Sequence, residues 1–87
     1  MSIMQPPESK VLYCLVSCRS GKILSQPSKQ QSEVSDFIAK APAGQYTLGT
    51  LYLVKSPKGW QLREKSPANL KLVRQFLPAN LLHLAEE

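Results

Sequence analysis

The hydrophobic positions along this chain change their period several times, and each change predicts an element. From Val11 to Cys18 apolar residues fill both alternating sets, Val11, Tyr13 and Leu15 on one and Leu12, Cys14, Val16 and Cys18 on the other. Apolar side chains on both faces predict a central strand that is covered on both sides, or covered on one and paired in an oligomer. Arg19-Ser20-Gly21-Lys22 supplies turn residues before Ile23-Leu24, so a hairpin into a short second strand follows. The polar stretch Ser25 to Ser32, biased to Ser and Gln, is expected as a surface loop within the domain.

The period then lengthens. Ser32 or Ser35 offers an oxygen-bearing cap, Glu33 and Asp36 are acids for a first turn, and Val34, Phe37, Ile38 and Ala41 fall at i, i+3, i+4 and i+7. This is one apolar stripe of a short helix, which Pro42 and Gly44 stop. From Gln45 the alternation returns to period two, with Leu48, Thr50, Tyr52 and Val54 on one face and Leu51 and Leu53 on the other. Lys55-Ser56-Pro57-Lys58-Gly59 reads as a turn, because Pro fixes one corner φ and Gly accepts a positive one. Trp60 and Leu62, alternating with Gln61 and Arg63, form the return strand. Ser66-Pro67 opens a second predicted helix with Leu70, Val73, Phe76 and Leu77 as its stripe.

The predicted order is therefore ββαββα. Two hairpin-plus-helix units form a four-stranded, mainly antiparallel sheet with two helices on one face, a two-layer α+β domain over residues 10–77. Residues 1–9, with the pair Pro6-Pro7 among polar neighbours, are expected as a flexible N-terminal tail. Pro78 breaks the second helix and starts a short C-terminal helical tail over 78–87, which either docks on the domain or serves a partner.

Size limits what such a domain can do. With 87 residues and 43% hydrophobic content, it forms one small folded unit in which a core and a catalytic apparatus compete for few positions. No apolar run approaches the roughly 18–20 residues of a membrane helix. The N-terminus lacks the charged and apolar regions of a secretory signal, so the expected location is cytoplasmic.

Chemistry-bearing constellations are sparse. Cys14 and Cys18 on one strand lie about 13 Å apart along it, far beyond disulfide reach, and are expected as free, buried, apolar thiols. Together with the single His83 they do not supply the four ligands of a structural zinc site, so no metal or cofactor is expected. His83 in a Leu-rich tail and Asp36 in a helix first turn make a poor nucleophile–base–acid set. Gly21, Gly44, Gly49 and Gly59 stand alone and begin no phosphate-cradling loop. The chain is not expected to be an enzyme.

Two binding functions remain. Phe76 to Leu84 carries five Leu or Phe residues in nine positions. This tail either folds back as core or presents Leu77, Leu81, Leu82 and Leu84 to another protein or to a second copy, with open sheet edges adding to the interaction surface. The other function rests on charge. Through residue 85 the chain has eleven Lys and Arg against four acids, and the span Lys40–Arg74 holds seven of the eleven with Glu64 as its lone acid. Lys55, Lys58, Arg63, Lys65, Lys71 and Arg74 on the second hairpin and final helix would contact nucleic-acid phosphates, with Tyr46, Tyr52 or Trp60 stacking on bases where they face outward. The leading expectation is a small regulatory or accessory protein-interaction module that can self-associate, with nucleic-acid binding as the alternative.

Overall fold

The computed structural model describes residues 8–85. Three strands, β1 (Ser9–Ser17), β2 (Tyr46–Ser56) and β3 (Gly59–Ser66), form one antiparallel sheet in the order β1-β2-β3. A helix, α1 (Gln31–Lys40), lies in the connection from β1 to β2. Beyond β3 the chain runs in irregular form through two 3-10 segments, Arg74–Phe76 and Ala79–Leu84. Of the tail expected over 1–9, residues 1–7 lie outside the described ones, Glu8 accepts the Lys55 amide at 2.8 Å, and Ser9 opens β1.

The predicted four-stranded, two-helix ββαββα domain is corrected on two counts. The first concerns the second strand. Ile23 does approach β1, with a bridge to Val16, but Ser28 next bridges to Tyr13, so five residues on one side span three on the other. The slack is absorbed where the Leu15 amide donates to the Ser25 hydroxyl at 3.0 Å instead of to a carbonyl, and where Pro27 has no amide to give. A side chain thus replaces a rung, and the ladder never becomes regular.

The second count concerns the predicted helix after Pro67. Leu70 and Leu72 are both fully buried, a period of two that an extended chain produces and a helix does not. The Lys71 amide donates to the Gly21 carbonyl at 2.7 Å, and the Ile23 amide donates to the Lys71 carbonyl at 3.0 Å. These bonds hold residues 70–72 straight beside the 21–23 segment, so tertiary pairing overrides the helical spacing of the apolar residues. Of the tail expected over 78–87, Ala79–Leu84 form a 3-10 turn with Pro78 as its N-cap, and residues 86–87 lie outside the described ones.

The core occupies one face of the sheet. Leu12, Cys14 and Val16 from β1 and Leu51 and Leu53 from β2 meet Ile23, Leu70, Leu72, Leu77 and Leu81 from the irregular segments, with Trp60 and Leu62 of β3 half-buried at the margin. Gly49, opposite Cys14 in the register, is buried in the middle of this face. The irregular C-terminal chain therefore does the covering that a second helix was expected to do.

The opposite face carries Val11, Tyr13 and Leu15 from β1, paired with Tyr52, Thr50 and Leu48 of β2. Helix α1 covers only one end of it. Val34 is buried, Phe37 meets the Tyr46 ring at a centroid distance of 5.9 Å, and the Val11–Tyr52 end stays uncovered by any described element. The hairpin between β2 and β3 forms as the sequence predicts. Ser56 pairs with Gly59 across Pro57-Lys58, Gly59 takes a positive φ of 118°, and the Ser56 hydroxyl donates to the Gly59 carbonyl at 2.8 Å.

Candidate binding surfaces

The six basic residues proposed for phosphate contact do not assemble into one surface. Lys55 and Lys58 flank the hairpin tip, where Lys55 stands 3.6 Å from the Glu8 carboxylate. Lys71 sits at the opposite end of the sheet, bridged to Lys22 beside Ser17. The length of β2 separates these groups by about 30 Å at a rise of ~3.3 Å per residue. Arg63 is exposed on β3 beside the bulge that faces Tyr52 and Leu53, while Lys65 and Arg74 each engage another group of the protein.

The aromatic residues divide as well. Trp60 is half-buried against the core with the Lys10 ammonium 4.2 Å from its ring centroid, and its carbonyl lies 2.6 Å from His83 Nε2, which links the tail to the outer edge of β3. Tyr46 meets Phe37. Of the three candidates for stacking, Tyr52 is the exposed one, and Tyr13 accompanies it on the same face.

The four leucines proposed for partner contact are placed differently from one another. Leu77 and Leu81 are buried among the core residues, Leu81 with no exposed surface, and Leu82 and Leu84 are half-buried against the same cluster. The edges of the sheet offer little in their place. Along β1 the segment 22–28 occupies the edge from Tyr13 to Ser17 through main-chain bonds at Ser28, Leu24 and Lys22. Along β3 the outer edge presents a bulge and the charged run Arg63-Glu64-Lys65, features that discourage strand addition.

What sequence reasoning missed is where the exposed apolar surface lies. Among the described residues the large exposed hydrophobic ones are Val11, Leu24, Phe37 and Tyr52. Val11 and Tyr52 pair on the face opposite the core, Phe37 belongs to the helix that sits on that face, and Leu24 follows the core-facing Ile23 and points the other way beside Leu15. All four therefore lie on the α1 side. Two concavities shape this side. A groove of about 320 Å³ between α1 and the 24–28 segment is lined by Leu15, Leu24, Ser28, Glu33, Val34 and Phe37. A smaller hollow of about 260 Å³ at the uncovered end is lined by Val11, Tyr13, Thr50, Tyr52, Glu64 and Lys65. The apolar residues on both sets of β1 predicted a central strand, but β1 lies at the edge of the sheet order, and the cover on its second face stops halfway, which the sequence did not signal.

The two thiols also separate. Both are free, but Cys14 is buried in the core and Cys18, expected to be buried beside it, is exposed just past the end of β1. The reason is that β1 ends at Ser17, where the turn through Gly21 begins, so the face on which Cys18 would continue has already ended. Burial pushes the Cys14 thiol up from its ordinary 9.0 to about 12. At pH 8 it therefore stays in the thiol form, which is not the nucleophile. Iodoacetamide on the folded protein is expected to give a single adduct, which peptide mass spectrometry places on Cys18, with Cys14 reacting only after denaturant is added. Equal labelling of both would contradict the position of Cys14. Among the described residues no group of three His, Cys, Asp or Glu side chains comes together to hold a metal, and no helix is long and apolar enough to cross a membrane. No known family model, curated protein or solved structure shows significant similarity to this chain.

Proposed function

We propose that the chain is a small, non-enzymatic accessory or regulatory module that acts by contact with another protein, through the α1 side of its sheet. One observation carries this reading: among the described residues every large exposed apolar one, Val11, Leu24, Phe37 and Tyr52, lies on that single side. Exposed apolar residues scattered singly are ordinary, whereas four gathered on one face around two concavities have the character of an interaction surface. A cytoplasmic setting belongs to the proposal, supported by the exposed free thiol of Cys18, which suits a reducing compartment.

The competing reading, nucleic-acid binding through the basic residues, draws on the net charge of +5. It is weakened by their spread along the sheet, from Lys55 and Lys58 at the hairpin tip past Arg63 to Lys71 at the far end, since counter-ions are displaced best by charges that track one continuous backbone.

The test is a photo-crosslinking amino acid placed at Phe37 or Tyr52 in cells that make the chain, with the same probe at Lys58 on the hairpin tip as the control. Positions 37 and 52 should give a discrete protein adduct, or a covalent dimer where the partner is a second copy, and position 58 should not. Adducts from position 58 alone, or adducts that disappear with nuclease treatment, would transfer the function to the basic hairpin.

A further inference from the structure

The two concavities on the α1 side differ in charge, and the difference specifies a ligand. In the hollow at the Val11–Tyr52 end, Glu64 and Lys65 offer both signs. In the groove beside α1, Glu33 is the one charged lining residue, among the apolar side chains of Leu15, Leu24, Val34 and Phe37. Asp36, exposed on the next turn of the helix, adds a second negative charge nearby. The described residues contain eleven basic side chains and four acidic ones, so half of all the described acids stand on this one helix.

Glu33 has a local task, since its carboxylate accepts the Ser28 hydroxyl at 3.1 Å and lies in the first turn of α1, where it favours the helix dipole. That single bond leaves further acceptor positions on a carboxylate with about four, and it fixes the group at the groove wall. A cation adjacent to an apolar group would be held by both features at once.

We propose, resting on the protein-binding reading above, that this groove seats one bulky aliphatic side chain of a partner protein whose neighbouring residue is Lys or Arg, with the aliphatic group against Leu24, Val34 and Phe37 and the cation on Glu33. The groove's size suits one side chain rather than a whole helix face, and its negative wall selects the flanking residue. Apolar contact supplies most of the affinity, while the ion pair, exposed to solvent, contributes selectivity of about twofold to fivefold.

The test uses the full ¹⁵N-labelled chain titrated with two capped glycine-flanked peptides, one carrying Leu-Lys and the other Leu-Glu, to millimolar concentration. The Leu-Lys peptide should shift the amides of Leu24, Ser28, Val34 and Phe37 and bind more tightly than the Leu-Glu peptide by about twofold to fivefold. Glu33→Gln should remove the preference and leave the apolar contact, and Phe37→Ala, at a side chain 55% exposed, should weaken both peptides by about tenfold without loss of fold. Equal binding of the two peptides at the groove, or shifts confined to Val11, Tyr13 and Tyr52, would overturn the assigned ligand and leave the protein-binding reading standing. No shift with either peptide, alongside a protein adduct from position 37 or 52, also sinks the groove chemistry alone. Silence in both experiments removes both. Groove amides that move instead with a single-stranded oligonucleotide would overturn both readings in favour of nucleic acid.

Discussion

Replacing Gly49 by alanine is expected to destabilise the protein by about 1–3 kcal/mol, and replacing it by valine to prevent folding, although no side chain is removed in either case. Gly49 occupies the middle of β2 on the core face. A Cβ built there would lie 2.4 Å from Val16 Cγ2, 2.8 Å from Leu70 Cδ1 and 2.9 Å from the Cys14 sulfur. Those neighbours are fully buried, so none can withdraw into solvent. The missing side chain is what lets Leu70 reach the sheet, and so lets the irregular 67–72 segment close the core. Glycine weakens a strand on its own account, and its presence at this point marks a close approach. Gly44→Ala is the control. An added Cβ at Gly44 meets nothing within 4 Å, so its cost is limited to the strain of a positive φ of 80°. Urea denaturation of the three variants should rank Gly49→Val below Gly49→Ala, and Gly49→Ala below Gly44→Ala. A Gly49→Ala variant as stable as the parent would mean that Leu70 does not sit on β2.

The same glycine shows what was legible in the sequence and what was not. A run apolar on both alternating sets located β1, and period-two patterning located β2 and β3, while Pro and Gly placed the hairpin at Pro57-Lys58, because each of these elements is specified by neighbours in sequence. The helix was legible from Val34 and its i+3 and i+4 partners for the same reason, even though only Val34 of that stripe is buried. The segments that failed are those whose conformation is set by distant partners. Residues 21–23 and 69–71 hold each other in place through Gly21, Ile23 and Lys71, and Gly21 has the Asn69 carbonyl oxygen 2.6 Å from where its Cβ would stand. Neither segment is regular alone. Leu70, Val73, Phe76 and Leu77 are compatible with a helical stripe, while Leu70 and Leu72 are equally compatible with an extended strip, and only the sheet beneath chooses between them.

The candidate surfaces failed in the sequence for a related reason. A run of apolar residues near a chain end reads as spare surface when each element is taken alone, since nothing in the run says how much sheet remains to be covered. Here one helix, used on the α1 side, leaves the whole core face of a three-stranded sheet for the C-terminal chain. Leu77 and Leu81 are consumed by that demand, and the uncovered apolar residues appear instead on the face where the single helix is too short.

That demand makes the C-terminal 3-10 segment the second place where a small change has a large effect. Leu81 is fully buried, the His83 ring reaches the Trp60 carbonyl on β3, and Leu82 and Leu84 pack on the core from the same short turn. Leu81→Ala is expected to cost about 2–5 kcal/mol, the range for a buried leucine whose site cannot collapse around the loss. Whole-protein stability for a domain of this size is only about 4–13 kcal/mol, at roughly 0.05–0.15 kcal/mol per residue. Ending the chain at Leu77 removes Leu81, Leu82 and Leu84 together and uncovers the margin of the core beside Trp60 and Leu62, so the truncated chain should lose its cooperative unfolding transition and dispersed amide spectrum. His83→Ala, which removes an exposed bond and leaves the leucines, should cost no more than about 1 kcal/mol. The comparison separates the two roles that an apolar tail can have. If the tail served only a partner, the truncated chain would melt like the parent and lose only association. If it is core, as the burial of Leu81 requires, the isolated chain fails first, before any partner is added.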